Sequence, residues 1–154
     1  MDCLKYIREQ DGPWCTRVTS WAASKNNMEM FKWAHENGCE WETEACSEAA
    51  LNGHFEILKY FVENGCPWRF AVPMYAARRG DMQMLKYALE GGCEVDDGTC
   101  TEAAKNGHLE CLKYARSKDV EWSESTYRAA LDNKQEAVLE YLRDNGCPIP
   151  NGAI

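Results

Sequence analysis

The sequence lacks the features that mark several large classes of protein. Its 154 residues contain no apolar run of about 18, so we expect no membrane-spanning helix. The N-terminus has no positively charged stretch followed by an apolar core, so we expect no secretory signal. Positive charge is scarce, with 17 Lys and Arg against 25 Asp and Glu, and the net charge of −8 argues against binding to nucleic acid or to an anionic membrane.

What the sequence does contain is a strict period of 27 residues. Leu-Lys-Tyr or a close variant of it recurs without any insertion, starting at residues 4, 31, 58, 85, 112 and 139. Pairs of small residues recur at the same interval, at 22–23, 49–50, 76–77 and 103–104. A fixed period in this range is typical of an array in which one supersecondary unit is stacked many times.

Each repeat predicts a pair of short helices. In residues 43–68, an apolar stripe at helical spacing precedes Gly53, which ends the first helix. A second stripe follows and stops at Asn64-Gly65. Because no strand pattern appears anywhere, we predict an all-α solenoid of stacked helix-turn-helix units, whose stability comes from the contacts between neighbours.

Residues Ala49 to Cys66, A-A-L-N-G-H-F-E-I-L-K-Y-F-V-E-N-G-C, resemble the ankyrin repeat, whose consensus runs A-A-x-x-G-H, an amphipathic helix and G-A. Residues Ala103 to Tyr114 resemble it in the same way. An ordinary ankyrin unit has about 33 residues. About six residues are missing from each repeat here, and they are those of the β-hairpin finger. The resemblance therefore implies an ankyrin-like array without hairpins, similar to the short Cys- and Trp-rich arrays of protists, algae and large DNA viruses.

We expect the whole chain, 1–154, to form a single ankyrin-like array. A half repeat at residues 1–14 comes first. Five full repeats follow, at about 15–41, 42–68, 69–95, 96–122 and 123–149, before a tail at 150–154. Glu136 replaces an apolar residue in the last full repeat, as suits a terminal unit with a polar outer face.

Nine cysteines could indicate a disulfide scaffold, but the repeat argues against one. The cysteines that follow the turn, such as Cys39 and Cys66, are equivalent positions in successive repeats. Stacked helices lie roughly 8–10 Å apart, whereas a disulfide needs Cα atoms within about 7 Å. We therefore expect reduced thiols and an intracellular, cytoplasmic location, in the host cell if the source is viral.

Histidines and cysteines do not combine into a convincing metal or cofactor site. His35, Cys39 and Cys46 could be imagined as zinc ligands, but no C-x-x-C pair is present. The spacing of Cys39 and Cys46 also recurs in a later repeat, so the period explains it. His54 and His108 share a repeat position with Asn, Asp and Gln, so we interpret them as helix caps. We expect no metal and no cofactor.

An aromatic ladder lies beside the leucine ladder on the second helix, at residues 6, 33, 60, 87, 114 and 141. It could be a stacking platform for bases, but its place next to the leucines favours partial burial in the core. There is no glycine-rich phosphate loop and no nucleophile elbow, so nothing supports an enzyme.

The candidate site rests on the resemblance. In ankyrin repeats the two residues after the alanine pair lie on the concave face and touch partners. Carried over, they are Ser24, Lys25, Leu51, Asn52, Arg78, Arg79, Lys105, Asn106, Asp132 and Asn133. Trp21 and Tyr75, just before the pair, add aromatic side chains of the kind enriched at interfaces. Four of the carried-over residues are basic and one is acidic, which indicates either an acidic partner segment or ordinary variation of a solvated surface.

We therefore expect a non-catalytic, monomeric module that binds a protein partner on its concave face. The alternative is a structural spacer or adaptor arm, a fragment of a larger multidomain protein whose activity lies elsewhere.

Overall fold

The computed structural model describes residues 16–39, 43–66 and 68–151, and within them every regular element is a helix. The helices are α1 (Thr16–Ser24), α2 (Met28–Glu36), α3 (Thr43–Asn52), α4 (Phe55–Glu63), α5 (Ala71–Arg79), α6 (Met82–Glu90), α7 (Gly98–Lys105), α8 (Leu109–Ser117), α9 (Glu124–Asp132) and α10 (Glu136–Asp144). They form five helix-turn-helix pairs whose second helices begin 27 residues apart. The predicted all-α repeat fold is confirmed, whereas the predicted half repeat 1–14 lies outside the described residues.

The chain divides into two compact units, unit 1 (Met1–Trp68) and unit 2 (Arg69–Ile154). In unit 1, α1 packs against α2 and α3, and α3 packs against α4. In unit 2, α5 packs against α7 and α7 against α9, while α6, α8 and α10 each pack against the first helix of their own pair. Within each unit the first helices therefore lie side by side.

Small residues explain how closely the first helices approach one another. The paired alanines are fully buried in every described repeat that has them, at Ala22, Ala23, Ala49, Ala50, Ala76, Ala77, Ala103 and Ala104. A methyl side chain leaves little between two helix backbones, so a bulkier residue would push them apart. At the position of the second alanine the last repeat carries Leu131, which is 38% exposed.

The second helices supply the larger core side chains. Their ladder of apolar residues is buried throughout, at Phe31, Leu58, Leu85, Leu112 and Leu139. The neighbouring aromatic ladder is only partly buried, as predicted, at Trp33, Tyr60, Tyr87, Tyr114 and Tyr141. Its first member, Tyr6, lies outside the described residues. The ammonium groups of Lys32, Lys86 and Lys113 lie 5.4, 5.6 and 5.9 Å from the ring centres of Tyr60, Tyr114 and Tyr141 in the following repeats. These cation–π contacts join successive second helices.

Asn27 and Asp81 cap the second helices that follow them, as predicted. Asn27 Oδ1 accepts a hydrogen bond from the Met30 N–H at 2.9 Å, and Asp81 Oδ1 accepts one from the Met84 N–H at 3.0 Å. Each bond satisfies an amide that the helix itself leaves without a partner.

His54 and His108 occupy the same repeat position as Asn27 and Asp81 but do not cap their own helices through their side chains, so the predicted capping role of the two histidines is wrong. His54 and His108 make no side-chain bond to α4 or α8. The imidazole instead reaches back over the turn, and His54 Nε2 lies 3.0 Å from the Ser24 carbonyl oxygen. Gln135 does the same when its Nε2 donates to the Lys105 carbonyl oxygen at 3.4 Å. A longer side chain thus ties its repeat to the last turn of the preceding first helix.

Glycine in the turn makes room for this tie. Gly80 has a φ of +71°, and a Cβ there would lie 2.7 Å from Nδ1 of His108. Gly107 has a φ of +74°, and a Cβ there would collide with the Gln135 amide. Glycine at these positions therefore serves both the left-handed backbone and the close approach of a side chain from the next repeat.

Candidate partner-binding face

Six of the predicted site residues belong to the C-terminal ends of α5, α7 and α9 in unit 2. They are Arg78, Arg79, Lys105, Asn106, Asp132 and Asn133, and all six are exposed. The alanine pairs hold α5 beside α7 and α7 beside α9, so these residues share one edge of three adjacent helices. Arg78, Arg79 and Lys105 also lie in the last turns of their helices, where the helix macrodipole stabilises positive charge.

The asparagines of this set use their amide nitrogens within their own helices. Nδ2 of Asn106 donates to the Glu102 carbonyl oxygen at 2.8 Å, and Nδ2 of Asn133 donates to that of Ala129 at 2.8 Å. In unit 1, Asn52 bonds the Glu48 carbonyl oxygen at 2.8 Å. These side chains finish their helices, a role that the preference of asparagine for helix ends could have indicated from the sequence.

Arg78 has a neighbouring acid that the sequence reasoning did not connect with it. Nε of Arg78 lies 3.9 Å from Oε2 of Glu102, and the two side chains are 55% and 22% exposed. Nδ2 of Asn106 donates to the same carboxylate oxygen at 3.4 Å. Glu102 occupies the repeat position of Tyr75, which is Trp21, Glu48 and Ala129 in the other described repeats. An exposed pair of this length adds little stability, so Arg78 can exchange Glu102 for another carboxylate.

Unit 1 presents one exposed aromatic side chain at the corresponding positions. Trp21 on α1 is 51% exposed, the largest exposed apolar side chain of the described residues. Ser24 Oγ donates to the Trp21 carbonyl oxygen at 2.9 Å, so the serine closes its own helix. Lys25 is exposed, while Leu51 and Asn52 are half-buried. Tyr75 in unit 2 is also half-buried.

Burial suppresses the reactivity of several described cysteines in unit 2. Burial raises the pKa of Cys93 to about 12, with Glu94 adding to the shift, and burial raises the pKa of Cys100 to about 12. The pKa of Cys111 is raised to about 11 by burial, and Cys111 lies beside an open cavity of about 300 Å³. A thiol with such a pKa stays protonated near neutral pH and is a poor nucleophile.

The described residues contain neither a candidate membrane span nor a candidate metal site. None of the described helices combines the length and apolar character needed to cross a membrane. Within the same residues, no three His, Cys, Asp or Glu side chains gather closely enough to hold a metal ion.

Comparisons with known proteins point to one family. Residues 20–62 match the family model described as ankyrin repeats (many copies). None of the curated proteins matches the sequence. Among solved structures, the human ASB11 ankyrin repeat domain matches with a TM-score of 0.68 and 20% sequence identity, over 84% of this chain and 69% of that one. At this identity, the structural match shows the fold.

Proposed function

We propose that this protein is a non-catalytic module that binds a protein partner on the exposed edge of its first helices. The proposal is supported by the match of residues 20–62 to the ankyrin repeat family and by the fold that the chain shares with an ankyrin repeat domain. Ankyrin repeats are generally protein–protein interaction modules. The partner chemistry proposed here is an acidic segment that contacts unit 2.

The observation that carries this proposal is the basic edge of α5 and α7. Arg78, Arg79 and Lys105 are exposed on adjacent helix ends, in a chain whose net charge is −8. Solubility would be served by more acidic residues here, so the local reversal of sign indicates contact with a partner in addition to the favourable position of cations at helix C-termini. Arginine presents a planar fork of donors that binds carboxylates through two parallel hydrogen bonds.

Glu102 gives the edge a means of selecting its partner. Its carboxylate already lies 3.9 Å from Arg78, so an incoming acid must compete with it. A single weak acid gains little from that exchange, whereas a segment with two or more carboxylates can contact both α5 and α7. Association should weaken with salt, because these charges are exposed and the Debye length is about 8 Å at physiological ionic strength.

The aromatic side chains on α8 and α10 are poorly suited to stacking nucleic acid bases. Lys86 and Lys118 both lie 5.6 Å from the ring centre of Tyr114, and Lys113 lies over Tyr141. A base would have to displace these lysines before it could stack on either ring. This arrangement supports a protein partner at the helix edge over a base-stacking function for the aromatic ladder.

The proposal is tested by charge reversal at the edge. The double variant Arg78→Glu, Arg79→Glu should lose at least about 30-fold in affinity for the partner, since about 2 kcal/mol is lost when a charge pair at an interface is broken. The measurement is quantitative capture of proteins from the source cells by immobilised wild-type and variant chains, followed by affinity determination with the purified partner. Cross-links from the partner's acidic segment should map to Lys105.

The matched control changes the net charge by the same amount at another surface. Lys86 and Lys113 are exposed at equivalent positions of α6 and α8, so Lys86→Glu, Lys113→Glu should leave binding nearly unchanged. Equal capture by the edge variant and the wild type would move the interface elsewhere. A wild-type chain that retains no protein specifically would favour the spacer or adaptor arm.

A further inference from the structure

One repeat brings two buried thiols into contact. Cys46 lies on α3, Cys66 follows the turn after α4, and the side chains of the two residues are hydrogen-bonded to each other. Cys46 is 0% exposed and Cys66 is 4% exposed, and neither forms a disulfide. Two hydrogen-bonded sulfur atoms must still move closer to reach the S–S distance of about 2.05 Å, and rotation of the two short side chains is the movement that brings them together.

The two positions face each other in another repeat as well. Cys100 is the repeat equivalent of Cys46, and its Sγ donates to the carbonyl oxygen of Val120, the equivalent of Cys66, at 3.8 Å. The two positions are therefore neighbours in both repeats, although the later contact is with the backbone of Val120. What distinguishes residues 43–66 is chemical, because no other full repeat has cysteine at both positions. The other pairs are Thr19 with Cys39, Pro73 with Cys93, Cys100 with Val120, and Tyr127 with Cys147.

We propose that Cys46 and Cys66 are a redox modification site, at which hydrogen peroxide oxidises the two thiols to an intrachain disulfide that joins α3 to the turn after α4. The bridge is local to one repeat, so it does not require neighbouring repeats to move. It is also consistent with the argument against bridges between equivalent cysteines, since 46 and 66 are different positions of the same repeat.

The reaction takes two steps and balances. The Cys66 sulfur attacks one peroxide oxygen, the O–O bond breaks, and a sulfenic acid and one water are formed. The Cys46 sulfur then attacks the sulfenic sulfur, the S–O bond breaks, and the hydroxyl leaves as a second water with the remaining thiol proton. The two sulfurs together lose two electrons, and the peroxide gains them. A thiol reductant reverses the bridge by exchange.

Thiol acidity assigns the first step to Cys66. The hydrogen bond from Cys46 lowers the pKa of Cys66 and outweighs the opposing effect of burial. Burial acts the other way at Cys93, Cys100, Cys111 and Cys147, whose pKa values are raised to about 11 or 12. Since the thiolate is the reacting species, Cys66 should react ahead of these four.

The test is oxidation of the folded chain by hydrogen peroxide, followed by alkylation of the remaining thiols and tryptic peptide mapping. We expect a reducible link between peptides Trp33–Lys59 and Tyr60–Arg69, and two fewer alkylated thiols. The first peptide contains both Cys39 and Cys46, so two matched variants identify the partner. The link should persist in Cys39→Ser and disappear in Cys46→Ser, while the helical circular dichroism of each variant is checked.

A gain-of-function variant keeps the test independent of whether Cys46→Ser folds. Val120→Cys places a thiol opposite Cys100 and should create a second peroxide-dependent link, between peptides Tyr87–Lys105 and Asp119–Arg128. The second of these peptides contains no cysteine in the wild type, whereas the first contains both Cys93 and Cys100. The new link should therefore persist when Cys93→Ser is added to Val120→Cys and disappear when Cys100→Ser is added. Folded wild-type protein that forms no link to Tyr60–Arg69, or a link that survives Cys46→Ser, would overturn the proposal. So would Val120→Cys protein without the second link.

Discussion

Two threonines at one repeat position provide a sharp test of how the hydrogen bonds of unit 2 contribute to stability. Thr99 on α7 and Thr126 on α9 are 27 residues apart and both fully buried. Thr126 Oγ1 accepts from the Ser123 N–H at 3.3 Å and shares a hydrogen bond with Thr101 Oγ1 at 3.0 Å. Thr99 Oγ1 finds no hydrogen-bond partner among the described residues. Substitution by valine should therefore have opposite effects at the two positions.

The magnitudes follow from what each hydroxyl does. A buried hydroxyl without a partner costs about 1–3 kcal/mol, so Thr99→Val should raise the free energy of unfolding by about 1 kcal/mol after some loss from imperfect packing. Val72, at the same position in the preceding repeat, shows that the site accepts valine. Thr126→Val removes two hydrogen bonds, one of which is half of a capping box, and should lower the free energy of unfolding by about 1–2 kcal/mol.

Urea unfolding followed by far-ultraviolet circular dichroism measures both effects on the whole chain. With an m-value of about 1–3 kcal/mol/M, Thr99→Val should raise the urea midpoint by about 0.3–1 M, and Thr126→Val should lower it by a similar or larger amount. The same atoms are exchanged in both variants, so any general gain from the added methyl group cancels in the comparison. Midpoints that move in the same direction for both variants would refute the reasoning.

Three further predictions concern unit 2. Gly80→Ala and Gly92→Ala both place a Cβ on a left-handed backbone, at φ +71° and +75°, and each should lower the free energy of unfolding by about 1 kcal/mol. The Gly80 variant should lose about 1 kcal/mol more, because its Cβ meets the His108 ring, whereas nothing lies within 4 Å of a Cβ at Gly92. Equal melting temperatures for the two variants would argue against the ring contact. Asp119→Gly should gain about 0.5–1 kcal/mol, since Asp119 has a φ of 60° where the repeat equivalents are Gly92 and Gly146, and a thermal melt with an unchanged or lower midpoint would contradict this. The free energy of unfolding should be steady up to about pH 9 and fall towards pH 12. Burial raises the pKa of Cys93 and of Cys100 to about 12, so the folded chain keeps thiol protons that the unfolded chain releases. Urea midpoints of the wild type and of Cys100→Ala across this range test the prediction, and the variant should show the shallower fall.

The period was sufficient to predict the helices and the core. Leu85 and Leu112 are buried because a constant interval places equivalent residues on the same face of equivalent helices. The turn glycines and the caps at Asn27 and Asp81 follow from local preferences that act within a few residues. These features depend on one repeat or on the comparison of identical positions, and that information is present in a single sequence.

Contacts between different repeat positions could not be predicted in this way. His54 occupies the place of a helix cap, yet its ring bonds the Ser24 carbonyl, because the length of the side chain and the open turn decide its partner. The contact between Cys46 and Cys66 could not be predicted for a related reason. A comparison of equivalent cysteines gives no information about two different positions that meet within one repeat. The pairing of Arg78 with Glu102 likewise depends on how two neighbouring helices align.

The ties from one repeat to the previous one have a consequence for how such a gene can lengthen. His54 reaches Ser24 and Gln135 reaches Lys105, and both contacts span 30 positions of the sequence. A tandem duplication of 27 codons copies a donor, a receiving carbonyl and a turn at the same offset, wherever in the repeat its endpoints fall. A duplicated repeat that carries His54 or Gln135 therefore keeps its tie at the new junction, and the number of repeats can change there by recombination without a further substitution.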